Sequence, residues 1–474
     1  MNNIPMTSAN KLPESIRLTT LDLSFLIPET EDMESVYFPM SVACCLPLKR
    51  PVKVEEFIAA LAQLDQRFPQ FRLGYKLDYI HNRWVRIPED QRASYWARCI
   101  QMRSTDLDVA GKIAEAVSTN ITPLDQPIMF YLDDQHIVVK MHHSLGDGRY
   151  FGRMMGYMLL ALADPAAFEK LPALPMNFGM PVWKLIFQTP QQGMRVLTGA
   201  IKSFVSYYKE FRQDVTVQET ARELAPIVTG SPMGIEIKLV VPEVLKQLNE
   251  MKIALSSDTK ITLNTLLQVL IATRLTELGL TGPTPVYTIP VDLRRYLKNP
   301  SDFYPGNLIS QIKVKSGASD DLLAECTWVQ RNADEQLENY EPLLAGPGES
   351  IFALNTRAYK RVNRQWLLAT IKTDKRFFLL SNLGHLDSVL RPLASLIDLP
   401  QGVFAAAPLM GGIPLVFSFS MAAGHGYITM TYDPRVLSRE QVITVAEMFD
   451  TDWLTAKFPT SAAPEPATLV PHEA

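Results

Sequence analysis

The sequence predicts a mixed α/β protein built from two lobes. Its 474 residues are too many for one ordinary core. Strand-like and helix-like patterns alternate in the first third of the chain and again in the last half, and a proline-rich stretch separates the two parts. Because each apolar face must pack against another layer, we expect two α/β lobes that face each other.

The first third of the chain contains clear strand and helix patterns. Two strand-like segments, IMFYLDD and QHIVVKMHH, are joined by a tight turn, and a helix is expected to follow over 147–164. The other elements expected here are a strand within 36–48, a helix over 53–69, short strands at QFRLGYKL and RWVRI, and a helix over 108–119. The loop after QHIVVKMHH therefore lies between a buried strand and a helix start, which is a common place for catalytic groups.

Residues 165–230 break this pattern. The stretch PAAFEKLPALPMNFGMPVWK is proline-rich and predicts a connector, while 191–214 predicts an amphipathic helix with a basic flank, within a stretch at 182–214 that is rich in aromatic and basic residues. That helix either covers the junction between the lobes, as most amphipathic helices cover a core, or lies at a membrane interface and recruits acyl substrates. The expected organisation is a first lobe at 17–178, a connector at 179–230, a second lobe at 231–458 and a flexible tail at 459–474.

The second half repeats the α/β character. Thr262 is the expected N-cap of a helix over 262–280, and Ser438 is the expected N-cap of a closing helix over 438–458. The other elements expected are a strand at 235–241, a helix that starts with Pro242, strands at PVYTIPVDL and NLISQIKVK, a helix within 320–340, and strands at RFFLLSNLG, LVFSFSMAAG and GYITMTYD.

Composition excludes several classes of function. Apolar residues make up 47% and charged residues 20%, as in ordinary globular proteins, and the net charge of −4 does not favour nucleic-acid binding. Cys44, Cys45, Cys99 and Cys326 lack metal-ligand spacing, so we expect free thiols in a reducing cytoplasm and no bound metal. No apolar run is long enough to predict a transmembrane segment.

The stretch KMHHSLGDGRYFGRMM, residues 140–155, is the strongest candidate for chemistry. Neighbouring residues on a strand point to opposite faces, so only one of His142 and His143 can point into a given cleft. A histidine is the natural general base for an alcohol or amine. Asp147 could pair with an arginine or orient an imidazole, and Gly148 leaves space where a side chain would crowd an approach.

The alternative interpretation is a strand end with two packed histidines and Asp147 as a helix cap. From the chain's own composition, the string H-H-x-x-x-D-G arises by chance on the order of once in several thousand cases. This low frequency favours the chemical interpretation.

HHSLGDG, residues 142–148, resembles the H-H-x-x-x-D-G signature of the chloramphenicol-acetyltransferase-like acyltransferase superfamily. That group includes peptide-synthetase condensation domains, plant BAHD acyltransferases, mycobacterial polyketide-associated acyltransferases and wax-ester synthases. LTTLDLSFL is similar to the family's N-terminal LSxLDxxF opening, TIPVDLRRYL with GNLIS to its D-L-R…G-N segment, and SNLG to a strand that bridges the lobes. PLDQPIMFYL and TLNTLLQVLIATRL are similar to segments of the wax-ester synthase branch, and the resemblance covers residues 17–455.

The resemblance implies two chloramphenicol-acetyltransferase-like lobes in a pseudo-dimeric V arrangement, with the active-site tunnel between them. It implies that His143 is the general base and that His142 packs away from the tunnel. It also implies that Asp147 forms a structural salt bridge with Arg294, and that Gly148 leaves room for the acyl thioester.

Other candidate site residues keep two interpretations each. Ser381 and Asn382 are candidate oxyanion donors or site-lining residues on the bridging strand, or simply a strand-end turn. Asn307 is either a turn residue or a residue that holds the site loop. For Arg294, an ordinary surface pairing with Asp292 is the alternative to the buried salt bridge.

The function that the resemblance implies is that of a stand-alone acyltransferase. It would transfer an acyl group other than an aminoacyl group from acyl-CoA, or from an acyl-phosphopantetheinyl carrier protein, to a hydroxyl or amine, without a bound cofactor. The DFGWG motif of the plant branch is absent, and the ND motif of the wax-ester synthases appears only as Asn264-Thr265, so the branch stays open. The alternatives are a non-catalytic member that binds or scaffolds carrier proteins, and an enzyme that cyclises or hydrolyses a thioester.

Overall fold

A computed structural model of the chain describes residues 12–179, 233–343 and 377–457. Short gaps in these ranges fall at 20, 23–24, 27–38, 79, 104–105, 119–125, 257–258, 283–284, 298–303, 318, 320 and 410–412. Nearly all of the predicted connector, including the helix expected at 191–214, and the predicted tail lie outside the described residues.

The described strands follow the alternation that the sequence predicts. In chain order they are β1 (Ser15–Arg17), β2 (Ser41–Pro47), β3 (Tyr75–Asp78), β4 (Arg83–Arg86), β5 (Ile100–Met102), β6 (Ile128–Leu132), β7 (His136–His142), β8 (Gly234–Val240), β9 (Val286–Asp292), β10 (Ile309–Lys315), β11 (Phe378–His385), β12 (Phe404–Ala406), β13 (Leu415–Ala422) and β14 (His425–Tyr432). The helices are α1 (Val54–Arg67), α2 (Glu89–Cys99), α3 (Val109–Ser118), α4 (Gly148–Ala163), α5 (Pro165–Glu169), α6 (Pro242–Ala254), α7 (Leu263–Glu277), α8 (Leu322–Glu338), α9 (Asp387–Leu390), α10 (Arg439–Ala446) and α11 (Thr451–Lys457). The predicted mixed α/β class is confirmed.

The first large sheet draws on both halves of the chain. Its strand order in the described residues is β12-β2-β7-β6-β5, with β2 antiparallel to both β7 and β12. Phe404 of β12 lies opposite Cys45 of β2, although β12 belongs to the C-terminal half. The C-terminal half therefore completes the sheet that carries the histidine motif, while the lobe boundaries given above stay a prediction.

The second large sheet has apolar residues on both faces. Its order in the described part is β11-β13-β14-β8, and β11 runs parallel to β13. Alternate residues such as Phe378 and Phe417 join a core formed by the C-terminal half. Their neighbours Leu379 and Val416 join the core of the first sheet instead. This alternation places the second sheet directly against the part of the molecule that holds the histidine motif. The V arrangement and the tunnel remain predictions.

Several helices differ from the sequence-based expectation, and the short α5 and α9 were not predicted. The closing helix expected over 438–458 is divided into α10 and α11 by a 3₁₀ turn at Glu447–Phe449, because Asp450 adopts an extended backbone conformation and its carboxylate binds Lys238 Nζ at 2.6 Å. Helix α2 was not predicted, since Tyr95, Trp96 and Cys99 are its only buried residues and give little helical periodicity.

Both predicted N-caps are present: Thr262 at α7 and Ser438 at α10 accept backbone hydrogen bonds from Thr265 and Gln441. A helix with the length and apolar character needed to cross a membrane is not found in the segments described. All four cysteines are buried and free.

Candidate active site

The histidine motif forms a tight loop between β7 and α4. His142 ends β7, a 3₁₀ turn covers His143–Leu145, and Asp147 caps α4 by accepting a hydrogen bond from the Tyr150 N–H at 3.0 Å. A Cβ at Gly146 would lie 2.5 Å from the Tyr150 ring, so only glycine allows this approach of the loop to the helix. The loop is therefore held rigidly at the start of α4.

The two adjacent histidines have different surroundings. His142 is 1% exposed, and its Nδ1 accepts a hydrogen bond from the Ser144 N–H at 3.1 Å and lies 2.7 Å from Ser144 Oγ. It thus caps its own turn from inside the protein. His143 remains partly exposed and turns towards the second half of the chain.

Asn307 fixes the orientation and the tautomer of His143. The amide Nδ2 of Asn307 donates to the His143 carbonyl oxygen at 2.7 Å and to Asp22 Oδ1 at 2.9 Å. Since both partners are acceptors, Asn307 Oδ1 must face His143 Nδ1, which lies 2.9 Å away. Nδ1 therefore carries the proton and donates, and Nε2 keeps its lone pair.

Phe25 and burial further define the state of His143. The Phe25 ring stacks on the imidazole with 3.9 Å between centroids and an interplanar angle of 11°. Burial of the imidazole lowers the pKa of His143 below its ordinary value of 6.5, and the nearby Asp147 carboxylate opposes this shift only in part. The ring is thus neutral near pH 7 and able to accept a proton at Nε2.

Asp22 holds Asn307 in place. Its Oδ1 also accepts a hydrogen bond from the Asn307 N–H at 3.0 Å, and its N–H and carboxylate exchange hydrogen bonds with Thr19 at 3.1 and 3.2 Å. Arg72 Nη1 lies 3.7 Å from Asp22 Oδ2, and both side chains are fully buried. A buried ion pair thus anchors the amide that orients His143.

Asp147 is occupied by structural contacts. Arg294 Nη1 lies 2.8 Å from Asp147 Oδ2, with both side chains 3% exposed, and the Leu308 N–H donates to the same oxygen at 2.8 Å. Arg294 Nη1 also lies 3.1 Å from Asp292 Oδ1, so the buried pairing and its alternative both occur. Arg294 further donates to the Tyr304 carbonyl at 2.8 Å. Together with the α4 cap, these contacts occupy both oxygens of the Asp147 carboxylate.

Two adjacent residues, Asn307 and Leu308, hold both ends of the motif loop. The Asn307 side chain binds His143, and the N–H of the next residue, Leu308, binds Asp147. Gly306 has a φ of +88°, and a Cβ there would lie 3.2 Å from Asp22 Oδ1, so glycine is required for this close passage.

Strand β11 reaches the start of α4. The atom nearest to a Cβ built at the exposed Gly148 is Leu383 Cδ2 at 3.5 Å. Ser381 lies opposite Ser418, and the side chain of Asn382 accepts a hydrogen bond from the Gly384 N–H at 2.9 Å. Neither Ser381 nor Asn382 hydrogen-bonds His143 in the described part of the structure, and their role as oxyanion donors stays a prediction.

Three residues of this site were not singled out from the sequence. Asp22 and Phe25 lie in LTTLDLSFL, where a short carboxylate and an aromatic residue in a family-like opening were the available signal. Arg72 gave no local signal, because its importance depends on burial beside Asp22. Within the described ranges, no group of three histidine, cysteine or acidic side chains is placed to hold a metal ion.

The fold is shared with a solved acetyltransferase, a polyketide synthase associated protein and a condensation domain. Trichothecene 15-O-acetyltransferase from Fusarium sporotrichioides matches with a TM-score of 0.59 and 12% identity, over 94% of this chain and 97% of its own. Polyketide synthase associated protein 5 from Mycobacterium tuberculosis matches with a TM-score of 0.53 and 13% identity, over 88% and 98%. The first condensation domain of the calcium-dependent antibiotic synthetase matches with a TM-score of 0.58 and 13% identity, over 94% and 97%.

The chain thus has the fold of condensation-domain and chloramphenicol-acetyltransferase-like acyltransferases, as the resemblance predicted. No protein-family model and no curated protein sequence matches it. At these identities the likeness defines the fold, and the chemistry must be argued from the chain's own residues.

Proposed function

We propose that this protein is an acyltransferase that moves an acyl group from a CoA or carrier-protein thioester to a hydroxyl or amine acceptor, with His143 as general base. The observation that carries the proposal is the hydrogen bond between His143 Nδ1 and Asn307 Oδ1 at 2.9 Å. It leaves Nε2 as the basic nitrogen, which is the atom that a base must present to the acceptor.

The proposed reaction needs no covalent enzyme intermediate. The acceptor transfers its proton to His143 Nε2 as its oxygen or nitrogen attacks the thioester carbonyl, and the C–S bond then breaks. The proton passes from Nε2 to the departing thiolate, giving an ester or amide and a free thiol. General-base catalysis contributes ~10²–10⁴-fold, and orientation of two bound substrates adds more.

The surroundings of the base agree with this role. Because burial lowers the pKa of His143, the imidazole enters the reaction unprotonated near pH 7. Asp147 has a structural role instead, since its carboxylate is bound by Arg294 and by backbone N–H groups. His142 is closed off in its turn by Ser144.

The donor is acyl-CoA or an acyl carrier protein. A carrier-protein partner is favoured by the names of two structural matches, a polyketide synthase associated protein and a condensation domain of an antibiotic synthetase. The four free, buried cysteines fit a reducing compartment such as the cytoplasm.

The test combines a donor screen with a histidine comparison. Purified protein is incubated with acyl-CoA and acyl-carrier donors and a panel of alcohols and amines, and products are detected by mass spectrometry. His143→Ala should lower transfer by about 10²–10⁴-fold while circular dichroism stays unchanged. The matched control is His81→Ala, which removes an exposed histidine that pairs with Asp78, and it should leave transfer unchanged.

Other outcomes would contradict the proposal in different ways. Full transfer by His143→Ala excludes His143 as the base. Binding of thioesters without turnover of any acceptor supports a scaffolding protein, and release of free acid without an acceptor supports thioester hydrolysis.

A further inference from the structure

The Asp22 carboxylate faces hydrogen-bond donors in each contact that the described residues give it. Its Oδ1 accepts hydrogen bonds from the Asn307 N–H at 3.0 Å and from Asn307 Nδ2 at 2.9 Å. Its Oδ2 accepts a hydrogen bond from the Thr19 N–H at 3.2 Å and lies 3.7 Å from Arg72 Nη1. Both oxygens must therefore act as acceptors, which is the property of the ionised carboxylate.

The ionised form of Asp22 decides which way the Asn307 amide faces. Nδ2 of Asn307 donates to Asp22 and to the His143 carbonyl, and this leaves Oδ1 for His143 Nδ1. A donor at Asp22 would instead favour the reversed amide, which places Nδ2 opposite His143 Nδ1. His143 Nδ1 would then have to accept, its proton would stand on Nε2, and Nε2 would lose the lone pair that a base needs.

Arg72 is fixed beside this carboxylate by its backbone and its surroundings. Its φ of +56° lies in the left-handed region, which residues other than glycine rarely adopt. The side chain is fully buried, Nη2 donates to the Phe178 carbonyl, and the guanidinium lies over the Trp84 ring, 5.8 Å from its centroid. Backbone conformations of this kind persist where the surrounding structure holds them, and they are concentrated at functional sites.

The charges of Arg72 and Asp22 depend on each other. Both side chains are 0% exposed, and Nε and Nη1 of Arg72 have no hydrogen-bond acceptor among the described residues. The guanidinium charge is thus balanced through space by the carboxylate. Removing one partner of a buried pair leaves an uncompensated charge, which is strongly unfavourable. Without Arg72, a neutral acid at Asp22 would therefore be favoured, and its O–H is a donor.

We propose that Arg72 and Asp22 are positioning residues whose buried ion pair holds His143, through the Asn307 amide, in the tautomer that carries its proton on Nδ1. Both residues act through Asn307 and not on a substrate. The importance of this tautomer for acyl transfer rests on the proposed function, whereas the tautomer itself can be measured without any substrate.

The first measurement identifies the tautomer directly. In protein labelled with ¹⁵N in its histidine rings, long-range ¹⁵N–¹H correlations distinguish the two neutral tautomers, and His143→Ala assigns the His143 signals. The unmodified chain should hold the Nδ1–H form at a pH where the ring is neutral. In Asp22→Asn, Arg72 and Thr19 retain the oxygen, so the new amide NH₂ faces Asn307. Because the His143 carbonyl still favours the original orientation of that amide, we expect a mixture of both tautomers.

The Arg72 variants test the charge separately from the shape. Arg72→Met removes the charge but keeps a long side chain, and it should also give a mixture of tautomers. Arg72→Lys keeps the charge and should retain the Nδ1–H form. The control is Arg86→Met, which breaks another buried pair, since Arg86 Nη2 lies 2.8 Å from Asp65 Oδ2. This control should lower stability without changing the tautomer of His143.

The second measurement connects the tautomer to transfer. With the donors and acceptors of the transfer assay, Asp22→Asn should lower kcat by about 10–100-fold with a much smaller change in KM for the donor. Arg72→Lys should recover most of the kcat that Arg72→Met loses. Circular dichroism and thermal unfolding show which variants are folded, and Asp22→Asn, with nearly the same shape as the native residue, is the variant expected to fold best.

The outcomes separate this inference from the proposed function. An Nε2–H form in the unmodified chain overturns the inference, and so does an unchanged Nδ1–H form in folded Asp22→Asn and Arg72→Met. A mixed tautomer in these variants, without transfer by any chain, supports the ion pair and rejects the acyltransferase. A mixed tautomer with full transfer rejects His143 as the base. An equal change of tautomer in Arg86→Met shows that lost stability, and not the Arg72 charge, is responsible.

Discussion

Two adjacent histidines acquire opposite roles from their side-chain contacts. His142 caps a turn within the protein through Ser144, while His143 is stacked by Phe25 and oriented by Asn307. Asn307 is oriented in turn by Asp22, whose carboxylate accepts both the backbone and the side-chain N–H groups. Supporting hydrogen bonds of this kind place a catalytic group more accurately than the group's own backbone can.

The lowered pKa of His143 predicts how kcat/KM for the transfer depends on pH. Since burial lowers this pKa below 6.5, the base form persists at neutral pH and is lost only as the pH falls through the lowered pKa. We expect kcat/KM for the transfer to be flat near pH 7 and to fall on the acidic side, with a midpoint below 6.5. A profile measured from pH 4 to 9 checks this, and an acidic limb centred above 7 would contradict it.

The role of Asn307 predicts a loss of kcat that exceeds any loss of binding. Asn307→Ala removes the acceptor of the Nδ1 proton, so His143 can adopt the wrong tautomer and rotate away from Phe25. We expect kcat to fall by about 10–100-fold with a much smaller change in KM for the donor. Asn249→Ala, on the exposed surface of α6, is the control, and an equal change of kcat in both variants would show that Asn307 does not position the base.

At the scale of the element, helix α4 fixes the motif loop through its first turn. Asp147 caps the helix, and Tyr150 packs against Gly146 while its hydroxyl donates to the Phe71 carbonyl. The loop and the helix are thus one unit, and the sequence H-H-x-x-x-D-G combines the proposed base with the cap of the helix that supports it.

The same substitution is expected to have opposite effects at two glycines of this unit. Gly146→Ala forces a Cβ to 2.5 Å from the Tyr150 ring, so we expect lower stability and loss of transfer. Gly152→Ala, inside α4, meets no atom within 4 Å and should stabilise the protein by up to about 1 kcal/mol through helix propensity. Thermal unfolding of both variants checks this, and equal shifts would mean that the loop tolerates a side chain at Gly146.

At the scale of the whole molecule, the C-terminal half of the chain contributes to the sheet and the core of the N-terminal half. Strand β12 from the C-terminal half completes the first sheet, and Leu379 and Val416 of the second sheet join the first core. The ion pair of Asp147 with Arg294 and the hydrogen bond of His143 with Asn307 connect the same two halves. The site therefore exists only where the halves meet.

This sharing predicts that the first half does not fold alone. A fragment of residues 1–232 lacks β12 and the partners of His143 and Asp147, so we expect it to show no cooperative unfolding transition. Denaturant titration followed by fluorescence compares the fragment with the full chain. A cooperative transition in the fragment would indicate an independent first lobe.

Local signals in the sequence were sufficient for most elements and for the motif. Helical periodicity and a capping residue predict the helices that start after Asp147 and Thr262, because both signals involve residues within one turn. The same reasoning missed α2, where few apolar residues are buried, and joined α10 to α11 across Asp450. The first error reflects a weak local signal, and the second occurs where Asp450 has an extended backbone and contacts Lys238 of a distant strand.

By itself the sequence determined the mixed α/β class and the strand–loop–helix setting of the motif, and its resemblance to the superfamily selected His143 over His142 as the candidate base. The tertiary structure alone decided what supports that base. Asn307 lies 164 positions from His143 and 285 from Asp22. Such contacts have no sequence periodicity, because they form only when packing of the whole chain brings distant segments together and excludes water from between them.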